Sequence, residues 1–115
     1  MSNPYEQQPR TLEEAEATVK IYDALERLQK TADFKTVFTD HLFTNEVIRL
    51  HSLLAHPDKA IIDSRDRIID DLDALSNIKF ALQMINAIGK SVKTQLDEFR
   101  EAQLEAENEA MEQGE

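Results

Sequence analysis

The sequence predicts an all-α protein in which short N-terminal helices pack on one long C-terminal helix, as a helical bundle or a coiled-coil-like oligomer. Three observations predict it. Apolar residues recur three and four positions apart over most of the chain, the spacing of a helix face. The 115 residues include only 2 glycines and 3 prolines. From Asp58 onward no proline occurs, and Gly89 is the sole glycine before the penultimate residue.

Residues 1–10 carry Pro4, Pro9 and two glutamines without periodicity, which predicts a flexible N-terminal arm. Thr11-Leu12-Glu13-Glu14 then has the form of a capping box, the Thr11 hydroxyl accepting from the Glu14 amide while the Glu14 side chain reaches back. A first helix follows over about residues 12–31. Leu12, Ala15, Val19 and Tyr22, with Ile21, Leu25 and Leu28, form its apolar side, and Glu13, Glu16, Lys20, Asp23 and Arg27 are left to solvent. Asp33 is expected to cap a short second helix bearing Phe34, Val37, Phe38 and Leu42, and Thr44 to cap a third through 45–55. Pro57 ends the third, because a residue before proline is pushed out of the helical region.

Ile61, Ile68, Leu72, Leu75, Ile78, Leu82, Ile85, Ile88, Val92, Leu96 and Phe99 then keep near-heptad spacing, so one helix is expected from about 59 to 108. At 1.5 Å per residue it would be roughly 75 Å long, against roughly 30 Å for the first helix. Either the chain folds back near Gly89-Lys90-Ser91, or the stripe from Ile78 to Phe99 is covered by another copy or another protein. The second is preferred, since an isolated helical glycine costs only about 1 kcal/mol and no other turn residue accompanies it. Residues 97–115 hold eight acids against Arg100, which is −7 of the net −10. After Leu104 the apolar face shrinks to Ala106, Ala110 and Met111, so the expected organisation is an arm over 1–10, a helical domain over 11–104 and an acidic tail over 105–115.

Composition narrows the function classes. With 13 Lys and Arg against 23 Asp and Glu, the chain repels DNA, RNA and anionic lipid, and no direct nucleic-acid partner is expected. Apolar residues make up 41%, enough for a core. There is no Cys, so disulfides, thiolate metal sites and Cys nucleophiles are excluded. The N-terminus lacks the apolar stretch of a signal peptide, and no apolar run approaches the roughly 18 residues of a membrane span. The expected location is intracellular, in a host cytoplasm or a virion, with no membrane partner.

Few residues hint at chemistry. His41, His51 and His56 lie close in sequence, but the last two are five apart and off a common helix face, and no HExxH pattern occurs. Asp63, Asp66, Asp70, Asp71 and Asp73 form a carboxylate run, yet Arg65 and Arg67 interleave and the glycine of a calcium loop is missing. A solvated helix face accounts for it. No Gly-flanked serine and no glycine loop offers an oxyanion hole or phosphate cradle. The aromatics sit at core spacing rather than among basic residues. No catalytic residue, cofactor or metal is therefore expected.

Leu25-Glu26-Arg27-Leu28, Asp33-Phe34-Lys35, His41-Leu42, Glu46-Val47-Ile48-Arg49-Leu50 and Asp71 through Ile78 give the middle of the chain, roughly residues 20–85, its character. In these the chain resembles small helical proteins encoded by tailed bacteriophages. The resemblance implies a phage context, in which such proteins serve as virion components, assembly factors or host-directed inhibitors. The function expected is a non-enzymatic structural or assembly protein. It would associate with copies of itself through Ile78, Leu82, Ile85, Ile88, Val92, Leu96 and Phe99, and a further protein partner is expected. The alternative is an acidic inhibitor or adaptor that binds a host protein through its negative surface.

Overall fold

In the computed structural model, residues 9–114 are described, and among them every regular element is a helix. The elements are α1 (Leu12–Gln29), α2 (Ala32–Phe34), a π-helical segment (Lys35–Asn45), α3 (Glu46–Leu54), α4 (Lys59–Asp63) and α5 (Arg65–Gln113). The all-α class stands, with short N-terminal helices packed on one long C-terminal helix. The arm expected over residues 1–10 lies mostly outside the described residues. The chain forms two compact units, one from residues 9–25 with 85–114, the other from residues 26–84.

In the first unit, the Glu14 amide donates to the Thr11 hydroxyl at 3.1 Å and the Ala15 amide to the Thr11 carbonyl at 3.0 Å. The Glu14 carboxylate reaches back one residue further than expected, accepting from the Arg10 amide at 2.8 Å. The Glu14 amide, one of those that a helix start leaves orphaned, is thereby satisfied. Residues 12–25 of α1 lie antiparallel to the second half of α5. Tyr22 faces Gly89, Asp23 bonds Lys93 at 2.8 Å, and Glu16 pairs with Arg100 at 3.6 Å. Tyr22, Leu25, Val92 and Leu96 are buried in this contact, Val92 down to 2% exposure. Full burial of such side chains stabilises by about 1.5–3 kcal/mol each. The two ion pairs are half exposed, worth less than about 1 kcal/mol each, and serve chiefly to set register.

Gly89 admits this close approach. It falls on the seven-residue line Ile68, Leu75, Leu82, Gly89, Leu96, where the heptad puts a core side chain, and having none lets the body of Tyr22 sit against the α5 backbone. α5 passes through Gly89 without a break, as the preferred expectation held. It also outlasts the expected end at 108, continuing to Gln113 on its Ala, Glu and Gln content, with every side chain from Asp97 to Gly114 exposed.

In the second unit three expectations are corrected. The second helix is capped by Thr31, not Asp33. Thr31 has extended backbone (φ −80°, ψ 147°), its hydroxyl accepts from the Phe34 amide at 3.1 Å, and Asp33 sits exposed in the first turn. Replacing Thr31 by alanine is expected to lower stability by about 1 kcal/mol, and Asp33 by alanine only by a few tenths. Urea titrations followed by circular dichroism check this, and equal losses would return the cap to Asp33.

Thr44 caps nothing. Its hydroxyl donates to the Thr39 carbonyl at 2.8 Å, Asn45 has helical backbone, and the chain is helical without interruption from Ala32 to Leu54. The reason is a set of partners five residues apart. Lys35 bonds Asp40 at 2.9 Å, Phe38 meets Phe43 with ring centroids 6.1 Å apart, and the Glu46 amide donates to the His41 carbonyl. In an α-helix residues five apart diverge by roughly 140°. The i→i+5 bonding of a π-helix brings them to one side. Phe34, buried and stacked on Phe38 at 4.7 Å, anchors the aromatic row, and Leu50 and Ile68 complete the small core of this unit.

The helix expected over 59–108 is also interrupted, at Ser64. Asp58 caps α4 by accepting from the Ala60 amide at 2.8 Å. Ser64 then leaves helical geometry (φ −95°, ψ 8°), its hydroxyl donating to the Ala60 carbonyl at 3.0 Å while its own carbonyl accepts from Ile68 to open α5.

Candidate functional site

The residues expected to carry self-association do not share one environment. Val92 and Leu96, at 2% and 6% exposure, are covered by α1 of the same chain and are not open to another copy. This corrects the expectation that the whole stripe outruns the internal core, because α1 packs along the second half of α5, where Tyr22, Asp23 and Glu16 meet Gly89, Lys93 and Arg100. Leu82, Ile85 and Ile88 are half-buried. Ile78 (44%) and Phe99 (48%) are exposed. The open part of the seam thus consists of a proximal stretch beginning at Ile78 and a distal one at Phe99.

The distal stretch has shape. Where α1 begins, Pro9, Arg10, Thr11, Leu12 and Ala15 face Val92, Gln95, Leu96 and Phe99 across an open hollow of about 240 Å³. Its walls are mainly aliphatic and aromatic, and Leu12 is itself 51% exposed. No known protein family, curated protein or solved structure matches this chain. The site is therefore read from its own residues.

The other candidates singled out in the sequence are dispersed. His41, His51 and His56 are all exposed, and the His56 ring accepts from the Asp58 amide at 3.2 Å. Asp63, Asp66, Asp70, Asp71 and Asp73 point to solvent. Among the described residues no three His, Asp or Glu side chains converge as a metal site would require. None of the described helices is long and apolar enough to cross a membrane.

One charged group stands out at the junction of the π segment and α3. The Arg49 guanidinium holds Glu46, its Nε bonding both carboxylate oxygens at 3.1 Å. This bond, aided by the nearby charges of Arg49 and His41, lowers the Glu46 pKa from its ordinary value. The same bond raises that of Arg49, with Asp71 on α5 contributing. Both side chains are reached by solvent, so the pair orients the surface rather than supplying an acid or base. What the sequence concealed here is the hollow, since it depends on where α1 starts along α5. Gly89 in a heptad line was the available signal.

Proposed function

We propose that this chain is a non-enzymatic helical assembly protein that works through protein contacts and associates with further copies of itself along α5. The observation that carries the reading is the imbalance of apolar surface. Seven hydrophobic residues form the core of the described chain, while twelve large ones, among them Ile69, Ile78, Phe80, Phe99 and Leu104 on α5, remain well exposed. Scattered exposed hydrophobics are ordinary, but Ile78 with half-buried Leu82, Ile85 and Ile88 makes a continuous stripe of the kind that protein contacts cover. The resemblance to tailed-phage proteins supports a virion component or assembly factor. The test is the mass in solution, by light scattering coupled to gel filtration at low and high salt. A discrete, salt-resistant oligomer is expected, reduced to monomer by Ile78→Asp with its circular dichroism unchanged. A wild-type monomer at both salt concentrations would sink the reading.

A second reading has its own observation. The acidic end of α5 is helical to Gln113 and exposed throughout, so its carboxylates are held in order on a rod rather than dispersed along a coil. That favours an acidic adaptor or inhibitor whose grip on a basic partner protein weakens steeply with salt, since exposed charges are screened over about 10 Å at 0.1 M.

A further inference from the structure

From Ile85 to Gln113, the face of α5 centred on Phe99 carries no charge. Every charged side chain of that stretch stands at least about 80° round the helix from Phe99, and every residue within about 60° of it is apolar or an amide. Beyond Phe99 this face runs on as Ala102, Gln103, Ala106, Ala110 and Gln113, all of them exposed. α1 lies to one side of it, the side of the seven-residue line Lys93, Arg100, Glu107, where Asp23 and Glu16 bond the first two. The hollow opens between the start of α1 and this face, and Arg10 is the one charged residue that lines it. Among the described residues no carboxylate pairs with the Arg10 guanidinium. An occupant suited to the hollow therefore presents small uncharged side chains with a carboxylate at their edge.

The end of α5 has that character. We propose that the hollow takes the end of α5 from a second copy of this chain, the two helices running antiparallel. With Gln103 of one copy level with Ala106 of the other, Phe99 of each lies against Ala110 of the other, a bulky side chain on a small one, twice over. The same register brings Glu107 opposite Arg100 of the second copy and towards its Arg10, both on the α1 side of the face. Parallel pairing would set phenylalanine on phenylalanine and alanine on alanine, and would part Glu107 from Arg100. Asp97, Glu101, Glu105 and Glu112 of the two copies point away from the contact, roughly two helix diameters or 20 Å apart, beyond the screening length of about 10 Å at 0.1 M salt. Two phenylalanines among alanines are too small a contact to hold free chains together, so it forms between chains that the stretch from Ile78 has already gathered. The proposal rests on the self-association reading and adds to it a second contact, its register and its direction.

The chain has no cysteine, so engineered disulfides report the direction of packing. Full-length Gln95→Cys and Gln113→Cys, both changed at exposed positions, are mixed in equal amounts, one of them tagged, and oxidised gently. The antiparallel register sets position 95 level with position 113 of the second copy, so the mixed disulfide is expected to predominate over the two like pairs. Phe99→Asp, at a position 48% exposed, is expected to abolish it while circular dichroism and the urea midpoint hold. Glu107→Lys is expected to lower its yield, and Glu109→Lys, at the opposite edge of the face and away from both arginines, to leave it. Predominance of like pairs, or a mixed disulfide indifferent to Phe99→Asp or to Glu107→Lys, would overturn the antiparallel contact, and an oligomer seen by light scattering would leave self-association standing. A wild-type monomer that yields no disulfide would remove both. If no mixed disulfide forms and Phe99→Asp lowers the urea midpoint, a segment of the same chain fills the hollow and the proposal falls.

Discussion

Replacing Gly89 by alanine is expected to destabilise the first unit, although the same change in an exposed helix stabilises. A Cβ at position 89 would stand 2.2 Å from the Tyr22 Cβ, 2.5 Å from its Cγ and 2.7 Å from its Cδ1. The nearest of these atoms belongs to the root of the side chain, so no rotamer change clears it. α1 has to back away from α5, opening the contact that buries Tyr22, Leu25, Val92 and Leu96. Forced overpacking of this kind costs about 1–3 kcal/mol. Helix propensity returns about 1 kcal/mol for Gly to Ala, so a sizeable part of the overpacking cost remains, and a bulkier residue such as leucine should cost more. Urea denaturation followed at the helical circular dichroism band measures the net effect. A gain in stability for Gly89→Ala would mean that propensity alone operates and that Tyr22 does not approach the α5 backbone.

Gly89 also shows how far the sequence could be read. That the long helix runs through it was legible, because a single glycine without accompanying turn residues is too weak to break a helix. Its purpose was not, because a close approach is a property of two helices and depends on their register. The same limit explains the stripe. Its spacing identified Val92, Leu96 and Phe99 as one line, but nothing local says that α1 covers the first two and stops level with the third. The open hollow at Phe99 follows from that stopping point.

The caps failed for a different reason. Thr31, Asp33 and Thr44 are all residues that bond a nearby amide or carbonyl, and a competition among neighbours is decided by backbone geometry. Thr31 prevails because its backbone is extended and its hydroxyl reaches Phe34. Thr44 falls inside a helix whose bonding steps by five, so its hydroxyl turns back to Thr39. Templates of three and four do not register Lys35 with Asp40 or Phe38 with Phe43, and those pairs were the sequence's only trace of the π segment. Where the chain kept to ordinary helical spacing, as from Thr11 through Tyr22 and from Ile68 through Leu96, the reading and the structure agree.

A charge at position 92 separates the two roles that the seam divides between. Val92 is 2% exposed and packed beneath α1, so Val92→Asp removes apolar burial worth about 1.5–3 kcal/mol and takes a carboxylate out of water. An unsatisfied buried polar group adds about 1–3 kcal/mol, and more when charged. The sum rivals the 5–15 kcal/mol that typically holds a whole domain together. The expected result is loss of the first unit's cooperative unfolding, with α1 released from α5 and helical signal falling. Ile78→Asp, at a position 44% exposed, should leave that transition in place and act on solution mass alone. The two variants compared by calorimetry and light scattering locate the boundary between core and contact surface. Should Val92→Asp keep full helicity and merely dissociate an oligomer, Val92 faces another copy, and the packing of α1 on α5 is not what buries it.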